Sequence, residues 1–80
     1  MKRHYSEFRK LSIKEQNNFT GVVVYPQGTL FYLVKNKRHR VDGPAVVYTD
    51  GSVEYWIDHK KVSKEAQELY HSLMKLKGLI

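Results

Sequence analysis

The chain has no cysteine, which excludes a disulfide framework, a thiol nucleophile and a cysteine-ligated zinc site and suits a reducing compartment. Long apolar runs are absent as well, because no window approaches the roughly 18 apolar residues that a membrane-spanning helix needs. The basic start, MKRHYSEFRK, has no apolar segment behind it, unlike a secretory leader. We therefore expect a cytoplasmic protein with no membrane partner.

Acidic residues are few. The eight Asp and Glu face 14 Lys and Arg, giving a formal charge of +6 and an isoelectric point near 9.7. Such an excess predicts acidic partners, either nucleic acid or an acidic protein surface, although it also occurs as plain solvated surface. Eighty residues form one domain that buries only about 60% of its unfolded surface, so support from a partner or a second copy is expected.

An internal repeat organises the middle of the chain. Residues 25–38, YPQGTLFYLVKNKR, align without a gap on residues 48–61, YTDGSVEYWIDHKK. The matched pairs include Gly28 with Gly51, Tyr32 with Tyr55, Val34 with Ile57 and Lys37 with Lys60. A self-similarity at a spacing of about 23 residues indicates one supersecondary unit used twice.

The repeats, over residues 19–62, are rich in valine, tyrosine, threonine and phenylalanine, which favour strands. Strands are predicted at 19–25, 29–34, 45–48 and 52–57, and a further one starts at Lys37 and runs into a bulge or bend at Gly43-Pro44. Hairpin turns of two residues after the later strands require positive φ, so Asn36 and His59 are predicted to be left-handed.

Alternation within the strands defines two faces. Leu30, Tyr32 and Val34, with their repeat mates Val53, Tyr55 and Ile57, form the predicted core face. The opposite face is mixed and carries Phe31, Leu33 and Trp56 beside Glu54. This mixed face is expected to be covered by the N-terminal arm, buried in a homodimer or used for binding.

The two ends of the chain differ from the repeats. Residues 1–18 are a basic arm or a short helix, in which Ser12 and Glu15 form a capping pattern and Tyr5, Phe8 and Ile13 could cover apolar surface. Residues 63–80 contain a helix from Ser63 to Lys77, with Ser63 as N-cap and Gly78 as the stop. Its predicted apolar stripe, which should lie across the core face, consists of Ala66, Leu69, Tyr70, Leu73 and Leu76 or Met74.

The segment Tyr32 to Ala45, YLVKNKRHRVDGPA, resembles a variant of the MORN repeat that reads Trp-Tyr-x-Asn-Gly-Lys-x-His-Arg-x-Asp-Gly-Pro-Ala and is common in phage and bacterial proteins. The matching residues are Lys37, His39, Arg40, Asp42, Gly43, Pro44 and Ala45. The pattern has glycine where this chain has Asn36 and His59. The resemblance implies an antiparallel meander of hairpins used for binding. The predicted class is therefore α+β, with four to five strands from two repeats and a C-terminal helix packed on one face.

His39, Arg40 and Asp42 form the only local cluster of catalytic residue types. Neither a nucleophile nor a metal-ligand spacing accompanies them, and the chain has no phosphate-cradling loop. We predict a non-enzymatic protein without cofactor or metal.

The charges point to a partner surface. Equivalent turns at the same end of the sheet would gather a basic pole next to the mixed face. The predicted partner-binding residues are Phe31, Leu33, Trp56, Lys35, Lys37, Arg38, Arg40, Lys60 and Lys61. The first hypothesis is a binding module, dimeric or not, that modulates a larger host protein or nucleoprotein, such as a phage-borne anti-CRISPR inhibitor. Alternatives are a nucleic-acid-binding protein that uses the basic pole and a structural subunit.

Overall fold

A computed structural model describes residues 1–79 and has an α+β fold, a mostly antiparallel sheet with a C-terminal helix, as the sequence predicts. The elements in chain order are β1 (Lys2–His4), α1 (Tyr5–Phe8), α2 (Ile13–Asn17), β2 (Gly21–Val24), β3 (Leu30–Val34), β4 (Lys37–Arg38), β5 (Val46–Val47), β6 (Val53–Ile57), β7 (Lys60–Val62) and α3 (Lys64–Leu76). The described sheet has seven strands and not four to five, because the sequence analysis missed β1 and β7.

Strand order in the sheet is β1-β2-β3-β5-β6-β7. Strands β4 and β5 both pair with the edge of β3 that faces away from β2, at different positions along it. Only β1 pairs in parallel, with β2. The N–H of His39 still donates to the Tyr32 carbonyl of β3, and the chain then bends away, so that the N–H of Arg40 donates to the carbonyl of Trp56, 3.1 Å away. The bend predicted at Gly43-Pro44 thus separates β4 from β5 and brings residues 38–40 beside β6.

Two equivalent hairpin turns close the later strands. Lys35 and Asn36 have φ of 48° and 62°, and Asp58 and His59 have 49° and 65°. Positive φ at both central residues is the geometry that a two-residue hairpin turn requires, because its twist matches that of the strands. The predicted left-handed conformation of Asn36 and His59 is confirmed.

The earlier turns also share one geometry. The N–H of Gly28 donates to the Tyr25 carbonyl at 2.8 Å, and the N–H of Gly51 donates to the Tyr48 carbonyl at 3.1 Å. Both glycines have positive φ, 96° and 90°. Two segments with a matching sequence therefore also have a matching backbone.

The core lies on the face that was predicted to be mixed. Phe8, Phe19, Val23 and Leu33 are buried together, and Phe31 packs against them. The arm reaches this face because β1 pairs with β2 and leads directly into α1, whose N-terminus is fixed by a capping box. Three alternatives were predicted for the mixed face. In the half of the sheet formed by β2 and β3, the N-terminal arm covers it.

The arm itself is more structured than predicted. Ser12 and Glu15 form the predicted capping box at the start of α2. Tyr5 stacks on Tyr25 with 4.4 Å between ring centroids, so it covers apolar surface as expected. Ile13 does not, because its side chain is exposed.

The predicted core face was wrong. Val34 and Val53 are exposed, and Leu30, Tyr32 and Ile57 are only half-buried. Alternation separates the faces of a strand but does not specify which of them the rest of the chain covers. The N-terminal segment took one face, and α3 covers only part of the other.

Helix α3 has the predicted ends. The Ser63 hydroxyl accepts from the N–H of Ala66 at 3.1 Å, and Gly78, with φ 72°, follows the last turn. The N–H of Gly78 donates to the Lys75 carbonyl and that of Leu79 to the Met74 carbonyl, which together make a Schellman C-cap. The final position of the predicted segment 63–80 lies outside the described residues.

The helix is rotated relative to the prediction. Gln67 is buried, and its amide donates to the Arg40 carbonyl at 2.8 Å and to the Gly43 carbonyl. Tyr70, His71 and Met74, on the same side, are half-buried. Three leucines of the predicted inward stripe, Leu69, Leu73 and Leu76, are exposed. Two unpaired carbonyls at the bend are satisfied by Gln67, and this fixes which side of α3 faces the sheet.

Candidate functional site

The β6–β7 part of the core-side face carries a group of aromatic and charged side chains. Strand register places Arg38 opposite Leu33, Glu54 opposite Val46 and Lys61 opposite Trp56. Paired residues share a face, so all of these side chains lie on the side of Leu33. Helix α1 packs on β1 and β2, at the other end of the sheet.

Arg38 and Trp56 form the centre of this group. The guanidinium carbon of Arg38 lies 3.9 Å from the centroid of the Trp56 ring, a cation–π distance. The His59 ring centroid is 5.8 Å from that of Trp56. We refer to Arg38, Glu54, Trp56, His59 and Lys61 as the aromatic-basic surface.

Glu54 orients the indole. The Nε1–H of Trp56 donates to Oε1 of Glu54 at 2.9 Å, and Nζ of Lys61 lies 3.5 Å from Oε2. The indole hydrogen bond, with help from Tyr48 and Lys61, holds the pKa of the Glu54 carboxyl below its usual range. The carboxylate is therefore ionised and partnered at neutral pH.

Backbone contacts bring the basic segment 37–40 against the second hairpin turn. The N–H of His59 donates to the Arg38 carbonyl at 2.9 Å, and the N–H of Asp58 donates to Nδ1 of His39 at 2.9 Å. Lys37 and Lys60 are exposed on the strands that flank this junction. Strand β4 is thus fixed beside β6, which sets the position of Arg38 over Trp56.

Arg40, a predicted partner-binding residue, lies elsewhere. Its guanidinium carbon is 4.0 Å from the Tyr32 ring centroid on the opposite face. Nε donates to Asp42 at 3.1 Å, and Nη1 donates to the Pro44 carbonyl at 3.3 Å. Arg40 also lowers the pKa of the Asp42 carboxyl. These contacts fix the bend at residues 41–44 and occupy the guanidinium within the chain.

Two apolar residues of the predicted site are corrected. Leu33 is only 8% exposed and belongs to the core cluster. Phe31 packs against that cluster, with its ring centroid 4.8 Å from that of Tyr25. Leu33 is therefore not free to contact a partner, whereas Phe31 is half-buried against the same cluster.

Sequence reasoning did not name Glu54 as a partner-binding residue, and it expected His59 only as a member of the basic pole. A carboxylate two residues before a tryptophan in a strand shares its face, so the Glu54-x-Trp56 spacing was a usable signal for Glu54. His59 is brought near Trp56 by the hairpin turn, a contact that becomes visible only with the turn geometry.

An open cavity of about 450 Å³ lies on the opposite face between the sheet, the bend and α3. Its lining is mostly apolar and includes Met1, Val22, Tyr32 and Val34, with Arg40 and His71 at the side. Within residues 1–79, no group of three or more His, Asp or Glu has the arrangement of a metal site. Among the helices described, none is long and apolar enough to cross a membrane.

No protein-family model, curated protein or solved structure matches this chain. The resemblance of residues 32–45 to the MORN-like pattern therefore stays a prediction from the sequence.

Proposed function

We propose that this protein is a non-enzymatic binding module that docks on an acidic surface of a larger protein through the aromatic-basic surface. The observation that carries the proposal is the Arg38 guanidinium carbon 3.9 Å from the centroid of the Trp56 ring, on a part of the sheet that helix α1 does not cover. Tryptophan and arginine are the side chains most enriched among residues that dominate interface energies. Both are held in place here before any partner arrives, which lowers the entropic cost of binding.

The charge around this pair supports an acidic partner. Arg38 and Lys61 supply the positive charge of this surface, and its one carboxylate, Glu54, is already engaged by Trp56 and Lys61. Lys37 and Lys60 are exposed as well but pair with Val34 and Ile57, so their side chains belong to the opposite face. Clustered cations speed encounter with an acidic patch and raise specificity. The partner surface is therefore proposed to combine carboxylates with an apolar recess that accepts the indole.

We further propose that the two hairpin segments are degraded copies of one repeat of the MORN-like kind. The equal turn hydrogen bonds at Tyr25 and Tyr48 and the equal φ values at Asn36 and His59 support this. In this proposal the arm and α3 close the two ends of a stack that is too short to be stable alone.

Nucleic acid is the second candidate partner. Arg38, Lys61 and the indole could engage phosphates and a stacked base, as on other sheet platforms. Two phosphate contacts, from Arg38 and Lys61, predict a log-log salt slope of about −1.8 on duplex DNA. We prefer a protein partner because Arg38 already covers one side of the indole. A base that stacked on that side would have to displace the guanidinium.

The test is an affinity capture from lysate with the tagged protein, with and without nuclease. A stoichiometric protein that survives nuclease supports the proposal, and its affinity is then measured with variants. Trp56→Ala is expected to weaken binding by about 2 kcal/mol or more. Capture of nucleic acid alone, lost on nuclease treatment, supports the second candidate and contradicts the first.

A charge-matched pair of variants separates the surface from net charge. Arg38→Glu with Lys61→Glu removes two cations from the aromatic-basic surface, whereas Lys10→Glu with Lys14→Glu makes the same charge change on the N-terminal arm. We expect only the first pair to abolish capture of the partner. Equal losses from both pairs would mean that overall charge, and not this surface, drives binding. Circular dichroism of each variant checks that it remains folded.

A further inference from the structure

Helix α3 exposes an apolar ridge on the side turned away from its buried residue. Leu69, Leu73 and Leu76 are 63%, 47% and 84% exposed, and Ala66, one turn earlier, is exposed as well. The side toward the sheet is formed by different residues, Gln67, Tyr70, His71 and Met74. The ridge therefore has no partner among the described residues.

The spacing of the ridge is that of a helix–helix seam. Ala66, Leu69, Leu73 and Leu76 follow one another at intervals of three, four and three residues. This is the a/d repeat of coiled coils, in which each apolar side chain inserts between side chains of a facing helix. A purely solvated helix face has no reason to keep leucine at each of these steps.

Charge along the helix indicates what the facing element is. The N-terminal half of α3 carries Lys64, Glu65 and Glu68, a net charge of −1 (one Lys minus two Glu). Lys75 and Lys77 lie at its C-terminal end and carry +2. When two copies of this helix run antiparallel, the acidic half of each lies beside the basic end of the other. The two helix dipoles are then also opposed in direction, which is favourable.

We infer that α3 is a homodimer interface, in which two copies pair antiparallel about a twofold axis through the middle of the ridge. Leu69 of one copy then faces Leu73 of the second, and Ala66 faces Leu76, so the same ridge is used by both copies as a twofold contact requires. The aromatic-basic surface is not part of this contact, so a dimer would present two copies of it. A partner with two acidic patches would then bind with avidity.

A single helix pair is a small interface, below the size of most stable complexes. We therefore expect a dissociation constant on the order of 10–100 μM for the dimer. The first measurement is sedimentation equilibrium of the wild-type protein over a concentration series that crosses this range. The mass should rise from 9.4 kDa toward twice that value.

The ridge is tested by Leu69→Lys with Leu73→Lys. Both side chains are exposed in the monomer, so the variant should fold, and dimerisation should weaken about 100-fold or more. The control is Ile13→Lys, which replaces an apolar residue on α2 that is more exposed than Leu69 or Leu73, lies away from the ridge and should leave the dimer unchanged. A dimer that survives the double substitution, or is lost in the control, would overturn the assignment of the interface.

The antiparallel orientation is tested by charge exchange. Glu65→Lys with Glu68→Lys, and separately Lys75→Glu with Lys77→Glu, should each weaken self-association about tenfold. An equimolar mixture of the two variants should restore dimerisation to the wild-type level, since every acidic half again faces a basic one. Variants that self-associate as well as wild type contradict the antiparallel arrangement, because a parallel pair already sets like charges side by side. A mixture that associates no better than either variant contradicts charge pairing between the helices in any orientation.

Two outcomes reject the dimer outright, one from sedimentation and one from a vesicle-binding assay. One is a mass that stays at 9.4 kDa up to about 1 mM protein, because a dimer with the expected dissociation constant would then be largely formed. The other is a wild-type monomer that binds vesicles of anionic lipid and loses this binding in Leu69→Lys with Leu73→Lys. That result would make the ridge a membrane-surface helix.

Discussion

The guanidinium carbon of Arg38 lies over the indole of Trp56, 3.9 Å from the ring centroid, although the two residues belong to different hairpins. The contact depends on the bend after β4, which places residues 38–40 alongside β6. Because Trp56 is the only tryptophan in the sequence, the chain carries an intrinsic fluorescence probe in its candidate site.

Arg38→Ala should lower the free energy of unfolding by about 0.5–1 kcal/mol, the value of a surface cation–π pair. The Trp56 emission should change at the same time, because the ring loses its cover on one side. Urea unfolding followed by fluorescence measures both effects. Lys37→Ala, the adjacent exposed residue of β4, is the control, and an equal loss of stability in that variant would argue against a specific stack.

Leu33→Ala should destabilise the protein by about 2–4 kcal/mol, because Leu33 is buried among Phe8, Phe19 and Val23. Val34→Ala, at the next position of β3 but on the exposed side, should change stability by less than about 0.5 kcal/mol. Thermal or urea unfolding of the two variants distinguishes the faces. The opposite ranking would mean that the face of Leu30, Tyr32 and Val34 is the core after all.

Gln67→Leu should cost about 1–3 kcal/mol, because the carbonyls of Arg40 and Gly43 lose their donor while remaining partly buried. Glu68→Leu, the exposed neighbour, should be nearly neutral. Hydrogen exchange gives a second measure: loss of Gln67 should speed the exchange of α3 amides more than those of β2 and β3. Uniform acceleration would show that α3 is not held mainly by this residue.

Glu54 should make stability depend on pH. Its pKa in the folded protein is lowered, mainly by the Trp56 indole N–H, so the unfolded chain binds a proton more readily than the folded one. The resulting stabilisation is present above the unfolded pKa of glutamate, about 4.3, and is lost as the pH falls through the lower folded value. Glu54→Gln should therefore be less stable than wild type at neutral pH.

The pH test compares urea unfolding of wild type and Glu54→Gln at neutral pH and at about pH 3. The difference between them should shrink at the lower pH, because protonation of Glu54 removes the charge that the indole N–H stabilises. A difference that is independent of pH would show that the glutamine substitution acts through packing and not through the carboxylate.

Much of the local structure was predictable from the sequence. The caps of α3 at Ser63 and Gly78, and the left-handed residues Asn36 and His59, were predicted correctly. Each depends on interactions within a few residues, such as a hydroxyl three positions before the amide it caps. Strand β1 was missed because its three residues, Lys-Arg-His, are polar and become a strand only by pairing with β2.

The candidate site was predictable in part. Trp56, Arg38 and Lys61 were named from the sequence and lie together, whereas Arg40 faces the other side and Leu33 is buried. Strict alternation would put Arg38 and Arg40 on one face. The bend at residues 41–44 breaks that rule, since Arg40 is drawn to Tyr32, Asp42 and Pro44.

The sequence by itself determined the class of fold, the repeat spacing, the turn conformations and the ends of α3, because these follow from short-range backbone preferences and side-chain periodicity. Only the tertiary structure decided which sheet face is buried and which side of α3 points outward. Both faces of β3 are apolar, so their hydrophobicity cannot choose between them. The choice was made by long-range hydrogen bonds, those of β1 with β2 and of Gln67 with the bend, which bring cover to one face and expose the leucines of α3.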